Sequence, residues 1–344
     1  MPDHRMNRQI VMAERPSGEL ALHHFRAEVV PMPERPADAV LLRNILVSVA
    51  PGARAAMQGP THRPQLVPGE LIPSSVIAEV VAGPPDGPAP GSVVAGTAGW
   101  QEYSVVPASA VRPLEPVGPL SQQLGFLGLN GLTAYFGIHA IAQVRAGETV
   151  LVSGAAGGVG HLAGQLARAA GARAVGISGS DDKNRILESK LGYAATVDRR
   201  SASFQDDLRA ACPDGVNVYF DNVGGPILES VLPLLVKHGR IVCCGVTSHY
   251  DLSDPPPGPR DLAVRLIAKS LRMEGFLVAD HRPRWDEALR DLRRMHAAGE
   301  LTILEDIRDG LDSAPAALVG MMAGGNVGQL AVRLAQDPPG RPPA

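Results

Sequence analysis

The segment Val152-Ser153-Gly154-Ala155-Ala156-Gly157-Gly158-Val159-Gly160 has the residue types and spacing to hold a phosphate. An apolar run precedes it and a helical pattern follows. Gly157 and Gly160 let the backbone approach a pyrophosphate, with Gly158 and Val159 completing the turn. The helix start offers N–H donors and the positive end of its dipole. A second strand about twenty residues further on supports the reading as a dinucleotide turn. An NAD site places an acid at the end of that strand, on the ribose 2′-hydroxyl. Here the sequence reads Ser178-Gly179-Ser180-Asp181-Asp182-Lys183. Ser180 and Lys183 can hold a 2′-phosphate by hydrogen bond and charge, and Arg199 or Arg200 can add charge. Asp181 and Asp182 equally suit the first turn of a helix.

Two further segments follow later strands. Phe220-Asp221-Asn222-Val223-Gly224-Gly225 places Asn222 where a cofactor contact is expected. Cys244-Gly245-Val246-Thr247-Ser248-His249-Tyr250 brings Gly245 to the same edge, and the Tyr250 hydroxyl suits a hydrogen bond to a substrate oxygen. Both segments also fit plain turns.

Other chemistries are disfavoured. The three cysteines, Cys212, Cys243 and Cys244, cannot build a four-cysteine zinc lobe, and His23-His24 lie in a polar segment, so no metal is expected. No Gly-x-Ser-x-Gly nucleophile elbow occurs. Lys and Arg total 32 against 35 Asp and Glu, a net charge of −3, which excludes nucleic-acid binding driven by net charge. Only four of the 32 basic residues are lysine, so each lysine can be weighed individually. No uninterrupted apolar run reaches the ~18 residues of a membrane span, and residues 1–5 carry no apolar leader. An odd cysteine count points to a reducing compartment, and so to the cytoplasm.

The elements that must position these residues divide the chain in two. Before Ser121 the chain reads as short strands between Gly and Pro clusters: 40–49, 76–81, 93–96 and 101–106. After it, strands at 149–153, 174–178, 216–220 and 240–244 alternate with helices at 160–170, 183–191, 226–237 and 286–298. Continuous apolar strands alternating with helices argue for a parallel sheet covered on both faces. Residues 327–334 read as a strand that rejoins the first part, and 337–344 as a disordered tail.

With its order of elements, the sequence resembles the medium-chain dehydrogenase/reductase superfamily. The pieces that carry the likeness are Gly99-Trp100-Gln101-Glu102-Tyr103, Gly131-Leu132-Thr133-Ala134-Tyr135-Phe136-Gly137, the Gly157–Gly160 turn, Gly179 to Lys183, Phe220 to Gly225, Glu274-Gly275-Phe276-Leu277-Val278 and Gly324-Gly325-Asn326-Val327-Gly328. In detail it resembles the zinc-free branch of prostaglandin reductases, leukotriene B4 12-hydroxydehydrogenases and alkenal double-bond reductases. The resemblance implies an α/β fold: a Rossmann-type doubly wound parallel sheet over 126–311, with a GroES-like β-rich substrate domain over 1–125 and 312–344. It further implies NADPH, a small-molecule substrate, a homodimer, and metal-free reduction of a C=C bond conjugated to a ketone or aldehyde by hydride transfer to the β-carbon. Tyr250 matches the tyrosine near the substrate carbonyl, Lys183 the lysine on the 2′-phosphate, and Phe276 to Val278 with Asn326 the nicotinamide contacts.

The chain departs from that pattern at three places. Gly52 replaces a tyrosine near the active site, Asn130 replaces a proline before Gly-Leu-Thr, and Asp198 replaces a tyrosine that touches the 2′-phosphate. The same fold also admits quinone reduction, or a non-redox step such as a cyclisation.

Overall fold

The computed structural model describes residues 6–59, 64–115, 118–252, 254 and 257–338. The expectations for residues 1–5 and for the tail beyond 338 fall outside them. The chain forms two compact units. One runs to Gly125 and resumes over Glu305–Gly325 and from Leu330; the other is Phe126–Leu304 with Asn326–Gln329.

The first unit opens with the antiparallel pair β1 (Met6–Met12) and β2 (Phe25–Pro31). It continues with β3 (Ala39–Ser48), helix α1 (Pro51–Gln58), β4 (Ser75–Ala82), β5 (Val93–Thr97), β6 (Tyr103–Pro107), β7 (Arg112–Pro113) and the short helix α2 (Leu120–Leu124). Antiparallel pairing of β3 with β4 and β6, and of β4 with β5, turns Val40, Leu42 and Val47 toward Val76, Ala78 and Trp100 in its core.

The second unit begins with α3 (Asn130–Phe136) and then alternates: β8 (Thr149–Ser153), α4 (Gly160–Ala169), β9 (Arg173–Ser178), α5 (Asp181–Leu191), β10 (Ala195–Asp198), α6 (Phe204–Ala211), β11 (Val216–Asp221), α7 (Gly225–Val231), β12 (Leu235–Cys243), α8 (Leu262–Lys269), β13 (Arg272–Gly275) and α9 (Trp285–Ala297). The strands form one parallel sheet in the order β10-β9-β8-β11-β12-β13. Side chains alternate across a strand. Val150, Val152, Val218, Phe220 and Val242 therefore join the core under α3, α4 and α9, while Leu151, Val175, Ile177, Tyr219 and Ile241 join the one on the opposite face. This is the doubly wound arrangement expected. The chain then returns through β14 (Glu305–Asp309), α10 (Ala314–Met322) and β15 (Gln329–Arg333), which complete the first unit's sheet.

Two expectations need correction. The return to the first unit starts at Glu305, earlier than residue 312, because β14 belongs to that unit's sheet; Asn326–Gln329 stays with the second unit. The helix expected over 226–237 ends at Val231. A short 3₁₀ turn holding Pro233 follows, and Leu235 opens β12, since proline removes the N–H a helix would need. The helical stretch Leu120–Ala142 is apolar and long enough by composition to cross a membrane, though polar residues interrupt it in sequence. Most of it is buried, it kinks at Leu127 and Gly128, and Phe126, Leu132, Phe136 and Ile138 pack against the parallel sheet. Its apolarity serves the core.

Candidate active site

In a parallel sheet all strands end at one edge, and loops there collect ligand contacts. The second unit brings its candidate residues to that edge. The Gly157–Gly160 turn follows β8; Ser180 and Lys183 follow β9; Arg199 follows β10; Asn222 follows β11; Gly245 and Tyr250 follow β12; Phe276 and Val278 follow β13. Asn326 is brought to the same turn, because Gly328 bridges Gly157 and donates its N–H to Ala156 O at 2.7 Å.

The turn itself is tight. A β-carbon on Gly160 would overlap Gly154 O and Ala155 Cα, so only glycine lets α4 start this close to β8. Behind it, His161 is 1% exposed. Its Nδ1 donates to Gly157 O at 2.9 Å, and its Nε2 accepts from Leu304 N–H at 3.4 Å. Burial pushes this imidazole down to about 4, so it is neutral, as that donor–acceptor pair requires. Sequence reading passed over His161. A polar residue on the buried face of an otherwise apolar helix was the available signal.

At the β9 end, Ser180 caps α5, its Oγ accepting from Lys183 N–H at 3.4 Å. Lys183 has its pKa lowered, first by burial and then by the positive charges of Arg199 and Arg200. Arg199 Nε lies 3.2 Å from where a β-carbon of Gly179 would stand. Three cations thus converge on the strand end where the sequence placed a 2′-phosphate. Asp198, the acid among them, turns its carboxylate onto Arg200 N–H at 2.8 Å and caps that turn.

The loop after β11 is organised by Asp221, which is 3% exposed. Its Oδ1 accepts from Ser153 Oγ, Tyr219 OH, Val223 N–H and Gly224 N–H at 2.8–3.0 Å. This role was legible in principle, because a short acid before a turn accepts from the N–H groups that follow it. Asn222 is less available than its sequence position suggested. Its Nδ2 donates to Ser153 O at 2.7 Å, and its N–H donates to Ser153 Oγ at 2.9 Å. Gly245 packs on it, a β-carbon there lying 2.8 Å from Asn222 O. Tyr250 is half-buried after the 3₁₀ turn Thr247–His249, and burial, ahead of the neighbouring Cys244, raises its pKa. Its phenol is therefore protonated at neutral pH and able to donate. Phe276 reaches Gly137 and packs edge-on to His281 at 6.2 Å, while Val278 O accepts from Trp285 Nε1 at 3.1 Å. Gly52 lies in α1 of the first unit, where a β-carbon would meet open space.

Among the described residues, one group of three residues able to ligate a metal comes together: Glu14, His23 and His24 in the first unit. His24 Nδ1 already accepts from Ala21 N–H at 2.9 Å, and the three cysteines lie in the second unit.

A family profile described as zinc-binding dehydrogenase matches residues 158–294, and one described as the N-terminal domain of oxidoreductase matches 8–114. A putative NADP-dependent oxidoreductase of Bacillus subtilis is 41% identical over 96% of this chain and 98% of its own. An NADPH-dependent curcumin reductase of Escherichia coli is 34% identical over 96% of this chain and 98% of its own. The crystal structure of CurA from Vibrio vulnificus in complex with NADPH superposes with a TM-score of 0.91, at 31% identity, over 96% of this chain and 100% of that one. Among the described residues no cysteine joins the one His-rich group, and one of its two histidines is committed to the backbone, so that group does not fit the zinc in the first profile's description. The strand-end site, the two matched profiles and likeness along nearly the whole chain lead to one conclusion: this chain belongs to the medium-chain dehydrogenase/reductase superfamily, in the branch of prostaglandin, alkenal and curcumin reductases.

Proposed function

We propose that the chain reduces the C=C bond of an α,β-unsaturated ketone or aldehyde with NADPH. The observation that carries this is a protonated phenol, Tyr250, on the same sheet edge as the Gly157–Gly160 turn and the Lys183, Arg199 and Arg200 cations. When bound, NADPH supplies the hydride, which goes to the β-carbon. Tyr250 OH donates to the substrate's carbonyl oxygen, and this bond strengthens as negative charge moves onto that oxygen. A proton then adds at the α-carbon, for a net gain of two hydrogens. The Gly-rich turn and the start of α4 hold the pyrophosphate, and the three cations hold the 2′-phosphate. Burial pushes the Cys244 thiol up to about 12, which keeps it un-ionised beside an electrophilic substrate.

The working form we propose is a homodimer in the cytoplasm. Strand β13 is an outer strand of the parallel sheet. Just before it in the chain, α8, which packs on β12, has no buried residue and shows Val264 at 62% and Ile267 at 79% exposure. An open strand edge next to exposed apolar side chains suits pairing with a second copy.

The test of the activity is NADPH consumption against a panel of enals, enones and quinones, with products identified by mass. Enones and enals should each gain two hydrogens. A preference for quinones, or a product of unchanged mass, would overturn the reading.

A further inference from the structure

Asn130 stands where the family pattern has proline, at the first residue of α3. Its Nδ2 donates to Gln329 Oε1, although the two residues are 199 positions apart. Gln329 is 3% exposed and belongs to the Asn326–Gln329 segment. The same Nδ2 occupies the space that a β-carbon on residue 158 would take, with Asn130 Cγ 3.3 Å and Gln329 Oε1 3.5 Å from that point. One amide pair therefore lies over Gly158, inside the phosphate-binding turn, and grips the segment that carries Asn326.

The backbone joins this segment to the turn through a parallel bridge between Gly157 and Gly328, with Gly328 N–H donating to Ala156 O at 2.7 Å. Gln329 N–H goes elsewhere, to Leu304 O at 2.9 Å. That bridge fixes how the two backbones meet at Gly328. The Asn130–Gln329 pair adds a side-chain link one residue further on, tying the segment to the start of α3 as well. Asn326 has its own Nδ2 bound to Gly328 O at 3.1 Å, so its side chain moves with Gly328. A proline at position 130 has no donor for such a link.

We propose that Asn130 is a positioning residue of the cofactor site: through Gln329, and through the space above Gly158, it holds the Asn326–Gln329 segment in register with the phosphate-binding turn. This rests on the NADPH reading above. Gly158 and Asn130 are then a matched pair, because glycine at 158 makes room for the amide that does the holding.

The experiment is a cycle of Asn130→Ala, Gly158→Ala and the double variant. NADPH Kd is read from nucleotide fluorescence, and KM, kcat and Tm are measured alongside. Asn130→Ala should raise Kd and KM for NADPH about tenfold, with kcat at saturation within about threefold of wild type. Gly158→Ala should weaken NADPH further, since its β-carbon displaces the Asn130 amide. The double variant should bind NADPH as well as Asn130→Ala alone. Asn130→Leu keeps the volume and removes both amide atoms, so it covers the case in which the alanine variants fail to fold; it should show the same loss. A lowered Tm with NADPH Kd unchanged, or losses that multiply in the double variant, would overturn the proposal. A folded wild type that does not bind NADPH would sink the cofactor reading and this proposal with it. Wild-type binding that Asn130→Leu leaves intact sinks this proposal alone.

Discussion

Lys183 bears the sharpest single-residue expectation. It sits in the first turn of α5, already repelled by Arg199 and Arg200. Like charges are costly to gather, and a 2′-phosphate relieves that cost. Lys183→Ala should therefore weaken NADPH by roughly 10- to 100-fold and leave NADH nearly unchanged, as titration of both nucleotides would show. Equal weakening of both would make Lys183 a structural residue. Tyr250 carries the complementary expectation at the reacting end. Tyr250→Phe removes one donor aimed at developing charge and should lower kcat by roughly 10- to 1000-fold, with NADPH Kd almost unmoved because the ring remains. Full kcat in the variant would leave Tyr250 as a wall of the site.

Among the elements, α4 is tied into the core by its polar side chains. His161 ties its first turn to Gly157 and to Leu304, and Gln165, one turn further, donates to His161 O and Thr302 O and accepts from Thr302 N–H. The helix thus clamps segment 302–304 from inside the core. This clamp has a pH signature. His161 titrates near 4 in the folded chain against 6.5 when unfolded. Between those values the unfolded chain takes up a proton that the folded chain refuses, so stability is full above pH 6.5 and falls as pH drops toward 4. The contribution is roughly 2 kcal/mol between pH 7.5 and 5. Urea unfolding at those two pH values should show His161→Gln losing about that much less stability than wild type over the interval. An unchanged pH dependence would mean that the imidazole is reached by water.

For the molecule as a whole, the open question is its partner. If a second copy covers β13 and α8, then Ile267→Asp should convert a dimer into a monomer in analytical ultracentrifugation, since it puts a charge into the apolar centre of that face. A wild-type monomer, or a variant that stays dimeric, would place the interface elsewhere or remove it. The second unit's architecture was readable in advance because its causes are local. Val150, Leu151 and Val152 are all apolar, which only a strand buried on both faces requires. Ser180 before Asp181 and Asp182 marks a capped helix start, and the glycines after Ser153 mark a turn that a helix must approach closely. Periodicity, capping and turn chemistry act between near neighbours, so they leave their mark in the residue order. What the fold alone decided is how polar side chains were shared out. Asn222 was expected to face a ligand, yet its amide nitrogen serves Ser153 O, 69 residues away. His161 found Leu304 across 143 positions, and Asn130 found Gln329 across 199. An amide or imidazole in a sequence declares only that it will seek a partner when buried. Which partner it meets depends on which segments the closed fold brings together, and no local pattern encodes that distance.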